Sequence, residues 1–159
     1  MTDLSKLTSP DGYFEDFAEG ELIRHARGKT VTEMDNVLIT NMVMNTAEGH
    51  FNAHRMQGGQ GHGVFTDRVV FGGINLSMVI GLAAQDTGEQ AVAELGMTGI
   101  RLSHPVYHGD TLYAFSEVIA KEDGADPATG IVTFRHYGIN QDDKLCVTAD
   151  RRVALRRRG

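Results

Sequence analysis

Asn45-Thr46-Ala47-Glu48-Gly49-His50, then a glycine-rich loop, then Phe71-Gly72-Gly73 running straight into Ile74-Asn75-Leu76-Ser77-Met78-Val79-Ile80-Gly81-Leu82-Ala83-Ala84: this stretch decides the fold. From Ile74 to about Asp86 the residues are apolar on nearly every side, and a helix of that kind is wrapped by the rest of its domain rather than laid on a surface. The glycine pair at its start leaves backbone N–H groups unpaired, ready for a developing negative charge. A histidine precedes it, so a proton carrier and a helix N-terminus share one short segment.

Working outward, the chain after Gly88 reads as strands: Met97–Pro105, Thr111–Lys121, Gly130–Asn140 and Leu145–Arg156, each rich in β-formers and bounded by turn residues. Gln141-Asp142-Asp143-Lys144 is a tight hairpin between the last two. Upstream, Glu21–Lys29 reads as a strand of mixed character. Thr32 and Asp35 form an acidic variant of the capping box, opening a helix whose apolar face is Met34, Val37, Leu38 and Met42. Before it, Ser9-Pro10-Asp11-Gly12 is a turn, and Tyr13, Phe14 and Phe17 are expected to pin the lead-in onto the body. One central helix wrapped by a largely antiparallel sheet is an α+β architecture, and 1–159 reads as a single domain.

Composition narrows the function classes. With 159 residues there is length for a real core. A formal charge of −6 argues against a general nucleic-acid binder, which needs a basic face. The longest apolar run is about half of a membrane span, so no membrane role is expected. The single Cys146 forms no internal disulfide, and no basic-then-apolar leader opens the sequence, so a reducing, cytoplasmic setting is expected.

Three pieces in this order resemble the MaoC-like hydratase/dehydratase family, whose members have the hot dog fold. Asn45 to His50 matches the spacing of the family's D-x-x-x-x-H motif; Gly72-Gly73-Ile74 is similar to its H-G-hydrophobic helix start; Pro105-Val106-Tyr107-His108-Gly109-Asp110-Thr111-Leu112 is similar to its P-V-x-x-G-D-T-L turn. The stretches Arg24–Glu33, Asn45-Thr46 and Leu95–Thr98 further resemble a branch acting on short, branched, dicarboxylic acyl-CoA, of mesaconyl-CoA (2-methylfumaryl-CoA) type. The resemblance implies an acyl-CoA hydratase/dehydratase without metal or redox cofactor, coenzyme A entering only as the substrate thioester. It implies His50 as acid/base, Asn45 in the aspartate's place, and Gly73 beside Gly72 as the oxyanion contact. A homodimer, or a larger homo-oligomer, is expected to cover the sheet edges and the open side of the helix.

Asn45 departs from the motif, because an amide hydrogen-bonds but takes no proton. Three readings stand: His50 works alone while Asn45 positions water; Glu48 substitutes as carboxylate; or the chain is a catalytically silent subunit partnering an active MaoC-like chain. Thioester hydrolysis is a further alternative, although the helix offers only Asn75 and Gln85 before Asp86 where a carboxylate would be wanted. Glu48, His54, Phe71 and Arg101 complete the substrate-binding candidates, with Arg101, Arg151 or Arg152 meeting the coenzyme A phosphates. Arg156–Arg158 read as a solvated, frayed end, and Asp110 as a turn residue. His50-x-x-x-His54 followed by His62 has metal-like spacing, but glycines interrupt it and no acidic ligand is near, so no metal is expected. The Gly58–Gly63 loop reads as a lid, or equally as a tolerated surface insertion.

Overall fold

The computed structural model describes residues 11–57 and 65–159. The Ser9-Pro10 half of the first turn, His62 and the Gly58–Gly63 loop lie outside the described residues. Strand β1 (Leu22–Thr30) leads to helix α1 (Glu33–Met42), a 3₁₀ turn (Glu48–His50), a short α2 (Ala53–Met56) and the long α3 (Gly72–Gly88). Strands β2 (Ala91–Leu102), β3 (Thr111–Asp123), β4 (Thr129–Ile139) and β5 (Leu145–Arg156) follow. They form one antiparallel sheet in the order β1-β3-β4-β5-β2, an α+β arrangement.

Alternation builds the core. Along β4 every second residue is buried, the period-2 signature of a sheet with one face covered. The cover is α3, whose Ile74, Val79 and Ala83 are buried against the sheet. Val79 packs with Leu112, Ala114 and Val147. Gly138 on β4 permits this closeness, since a Cβ there would sit 2.4 Å from Val79 Cγ2. A second cluster joins Phe17 from the lead-in to Val118, Val132 and Phe134. The Phe17 and Phe134 rings meet edge-on at 4.9 Å, so the expected aromatic pin is present.

Several expectations need correction. The helix is not wrapped all round: the sheet covers one side, while Ser77 and Gly81 are exposed along an open flank shared with Ile39, Met78 and Leu82. The helix also starts two residues earlier than its apolar run, at Gly72. Helix α1 does have its capping box, with Thr32 Oγ1 accepting from the Asp35 N–H (3.2 Å) and Asp35 Oδ2 accepting from the Thr32 N–H (2.8 Å). Its orientation, however, is the reverse of the sequence reading. Met34, Leu38 and Met42 are exposed, and the buried residues are Asn36 and Thr40. Strand β2 begins at Ala91, not Met97. It is an edge strand exposed along almost its whole length, with positive φ at Gly96 and Gly99 and repeated register shifts against β5, so the alternation that marks a half-buried strand is missing.

The C-terminal arginines are not a frayed end. Arg157 pairs with Asp123 and Glu15, and Arg158 with Asp16, fastening the end of β5 to the lead-in. The hairpin and the Asp110 turn are as expected: Asp143 has φ 57°, and Asp110 Oδ2 accepts from the Tyr107 N–H at 2.8 Å.

Candidate functional site

His50 closes the 3₁₀ turn that follows Asn45. The turn is set by Asn45 itself, whose Oδ1 accepts from the Ala47 N–H at 2.9 Å, an Asx turn. His50 Nδ1 lies 2.9 Å from the Val69 carbonyl oxygen. A carbonyl only accepts, so Nδ1 carries the proton and Nε2 is left with a bare lone pair. Gly49 O accepts from the Val69 N–H (3.0 Å), and Val106 O from the Val70 N–H (2.8 Å). Residues 69–70 therefore stitch the histidine turn to the Pro105–Tyr107 segment.

Two residues later the chain enters α3. The Ile74 N–H already bonds to Phe71 O, while the N–H groups of Gly72 and Gly73 find no acceptor among the described residues. A Cβ at Gly72 would lie 2.2 Å from Leu102 Cδ1, and one at Gly73 would lie 2.6 Å from the Phe71 ring. Glycine is thus the residue that lets the helix start come this close to its neighbours. The His50 and Phe71 rings pack at 5.6 Å.

Asn36, fully buried on α1, ties the two halves together. Its Nδ2 donates to the His50 carbonyl (2.8 Å), and its Oδ1 accepts from the Phe71 N–H (3.1 Å) and from Thr40 Oγ1 (3.3 Å). One carboxamide therefore fixes the backbone of the histidine and the entrance of the central helix relative to each other. Sequence reasoning missed it. The available signal was a pair of polar residues, Asn36 and Thr40, four apart and so on one face of the helix.

A cleft of about 410 Å³ opens onto this junction. Its polar lining is His50, Asn75, Ser103 and His104, with the Gly72 backbone; its apolar walls include Phe65, Val69, Leu102 and Val106. Asn75 is only 4% exposed, and its Oδ1 has no hydrogen-bond partner among the described residues. This residue interrupts the apolar run, which was the signal for it in the sequence.

The structure brings His50 and Gly72 into one cleft, with Gly73 and Phe71 adjoining in the chain. The other candidates stand apart from its lining. Asn45 is engaged in its own turn. Glu48 is held by Arg55 at 2.8 Å and by Asn52 Nδ2 at 3.2 Å. His54 is exposed on α2, so His50 and His54 do not share a helix. Among the described residues no three His, Cys, Asp or Glu side chains come close enough to hold a metal ion. Of the arginines, Arg151 is buried against Glu94 and Thr87, which removes it as a phosphate ligand, and Arg152 is half-exposed and paired with Glu122 at 2.5 Å. Arg101 stands exposed on β2, with no ion pair among the described residues.

A second polar cluster lies toward the other end of α3. His25 Nδ1 is 2.6 Å from Asp86 Oδ2, His25 Nε2 is 2.7 Å from Ser116 Oγ, and Ser116 Oγ is 2.7 Å from His136 Nδ1. With His25 neutral the donors run one way: His25 donates to Asp86, Ser116 to His25, and His136 to Ser116. In that arrangement His136 Nε2 is unprotonated, and it has no partner among the described residues. Burial, with the Arg151 charge next, pushes the His136 pKa down from 6.5 to about 3, so it stays neutral. Ser116 and His136 are fully buried, and no substrate reaches them.

The sequence profile described as mesaconyl-CoA hydratase matches residues 5–158. Among curated proteins, a beta-methylmalyl-CoA dehydratase of Chloroflexus aurantiacus is 33% identical over 156 residues, covering 98% of this chain and 43% of the relative. This chain therefore spans less than half the length of that relative. Among solved structures, a MaoC domain protein dehydratase of Chloroflexus aurantiacus superposes with a TM-score of 0.84 at 30% identity, covering 94% of this chain and 42% of that one. A Mycobacterium tuberculosis protein with a double hotdog fold superposes at 0.79 and 21% identity, covering 93% and 45% of the two chains, and shows the fold alone.

Proposed function

The chain belongs to the mesaconyl-CoA hydratase family, a MaoC-like family with the hot dog fold, and from that premise we propose that it adds water reversibly across the α,β double bond of a short enoyl-CoA of mesaconyl-CoA type. The observation that carries the reading is His50 beside the start of α3. The Val69 carbonyl holds the Nδ1 proton, so the bare Nε2 is the base, and the free N–H groups of Gly72 and Gly73 are the donors for the thioester oxygen.

The reaction then needs four movements. Water attacks the β-carbon as Nε2 removes its proton. The C=C electron pair shifts toward the thioester, and the resulting enolate oxygen is held by the two backbone N–H groups, helped by the partial positive charge of the helix N-terminus. The imidazolium returns a proton to the α-carbon. Dehydration runs the same steps backward. Base and donors all come from the chain, so the step calls for no metal or redox cofactor.

The competing readings lose ground on particular residues. Glu48 is engaged by Arg55 and Asn52 and is not needed as base. Asn45 shapes the turn, so an amide at that position leaves the His50 apparatus intact, which weakens the silent-subunit reading. The carboxylate of Asp86, the one acid on α3, is bound to His25 and is absent from the lining of the cleft, which weakens the thioesterase reading. A second hot dog module, in a homodimer or larger assembly, is proposed to cover the exposed edge strand β2 and the open flank of α3. No helix among the described residues is long and apolar enough to cross a membrane. A cytoplasmic setting is proposed from the substrate class.

The test is loss of enoyl-thioester absorbance with crotonyl-CoA and mesaconyl-CoA side by side, with His50→Ala as the control. Turnover that disappears in His50→Ala is expected. No turnover of either ester, or turnover that survives the substitution, overturns the reading.

A further inference from the structure

Once His50 and the helix start are assigned to the reacting bond, three polar side chains of the cleft remain without a role, namely Asn75, Ser103 and His104. A site built for a plain alkyl chain has no use for them, because polar groups left unpaired in a substrate pocket weaken binding. Asn75 is the sharpest case, being only 4% exposed, lacking a partner for Oδ1 among the described residues, and lining the cleft. An enclosed amide of this kind costs about 1–3 kcal/mol unless something bonds to it. Oδ1 is the sealed end, so the NH₂ group, which no described residue engages either, is the end left to face the cleft.

We propose that the Asn75 carboxamide recognises the distal carboxylate of a dicarboxylic acyl-CoA and so selects it over monocarboxylic esters. The proposal rests on the acyl-CoA reading of this cleft. Geometry supports it. In a trans-butenedioyl thioester the two carbonyl carbons are joined through three bonds in the trans arrangement. They span about 3.8 Å, as two Cα atoms do across a trans peptide. Gly72 and Asn75 both line the cleft and are three residues apart on one helix, a rise of about 4.5 Å. A helical side chain leans back toward the N-terminus, so a thioester oxygen at the helix start leaves the far carboxylate within reach of the Asn75 carboxamide. The helix N-terminus offsets part of the carboxylate's charge, and Ser103 and His104, both exposed, close the cleft on the facing segment.

The test uses saturated esters, so that binding is read apart from turnover: succinyl-CoA against butyryl-CoA by titration calorimetry with wild type, Asn75→Ala and the isosteric Asn75→Asp. Wild type is expected to prefer succinyl-CoA. Asn75→Ala is expected to lose roughly 10- to 100-fold on succinyl-CoA, the worth of one hydrogen bond to a charged group, and Asn75→Asp at least as much. Both are expected to keep wild-type affinity for butyryl-CoA, which also certifies the fold. An equal loss on both esters in a folded variant moves the amide to the thioester end and overturns the proposal. So does a succinyl preference that survives both substitutions, or its absence from wild type. If Asn75→Ala proves misfolded by circular dichroism, the Asp variant decides. Selective binding of succinyl-CoA by a protein that hydrates neither crotonyl-CoA nor mesaconyl-CoA keeps this proposal and sinks the hydratase reading. If neither saturated ester binds, this proposal falls, while the hydratase reading stands or falls on turnover of the unsaturated esters.

Discussion

The two ends of α3 hold similar side chains in opposite settings. Near Asp86, an aspartate, two histidines and a serine form a continuous chain of hydrogen bonds of 2.6–2.7 Å, and part of it has the connectivity of a Ser-His-Asp triad. At the N-terminal end a single histidine is held by a backbone carbonyl, with no carboxylate on it. Judged by connectivity alone, the first cluster is the stronger catalyst. Access reverses that judgement. Ser116 is sealed under the helix, and its hydroxyl is taken up between His25 and His136, whereas His50 faces a cleft with an unused lone pair and unpaired donors beside it. Polar groups that satisfy one another hold a fold together, and those left over at a cleft are available to a ligand.

The largest effect that could break this contrast is on turnover. His50→Ala is expected to lower kcat/KM by about 10²- to 10⁴-fold, the usual worth of a positioned acid/base, while Ser116→Ala leaves turnover per folded molecule at the wild-type level. A Ser116→Ala protein that is folded but inactive would reverse the assignment of the two ends. Next in size is Asn36→Leu, which removes the hydrogen bonds to His50 and Phe71. Misplacement of a reacting group by about 1 Å can cost 10²-fold, so kcat is expected to fall by roughly 10- to 100-fold with KM little changed. Loss of KM and kcat together would mark Asn36 as merely structural.

The sealed end is tested by stability. Ser116→Ala leaves two buried histidine nitrogens without their partner and is expected to cost about 1–3 kcal/mol in urea denaturation. His136 gives that end a pH signature. Its folded pKa of about 3 lies below the ordinary 6.5, so between those values the unfolded chain binds a proton that the folded one refuses. Stability from this group is complete above pH 6.5 and drains away as the pH falls toward 3. His136→Asn, which keeps a donor toward Ser116 but does not titrate, is expected to flatten that part of the acid limb. The smallest expected effect lies at the open end. Thr32→Ala removes the N-cap of the helix that carries Asn36, for about 1 kcal/mol. Asp35 is held down to about 2 mainly by Lys29, then by Thr32. Its contribution is present above its ordinary 3.8 and is lost as the pH falls through about 2.

Much of the fold is legible in the sequence alone, and for definable reasons, whereas the His25–Ser116–His136 cluster, assembled from separate strands, is not. Strand β5 runs from Leu145 to Arg156 as its pattern predicts, because its inward residues report the core directly. The capping box of α1 is a local matter, decided within four residues. Strand β2 escaped because exposed edge residues carry no alternation, and its two positive-φ glycines break the pattern further. The apolar stripe of α1 pointed the wrong way because periodicity shows that a face exists without showing which partner covers it. At the site, His50 and the glycine pair were readable because they sit close in sequence in a family-like order. Asn36 and Asn75 were not, since their roles arise from contacts across the fold. Arg151 misled for the converse reason, its charge being taken up under the surface by Glu94 from another strand.

Cys146 extends the same reasoning to motion. It is fully enclosed in the core cluster with Val79 and Leu112, and burial, with the Asp110 charge adding to it, pushes its thiol up to about 11. In the closed molecule it has neither access nor thiolate character, the two conditions a reagent needs. It is also the only cysteine in the chain. Its labelling half-life is therefore a clock for how often the sheet parts from α3, and the native protein carries that clock without any engineered probe.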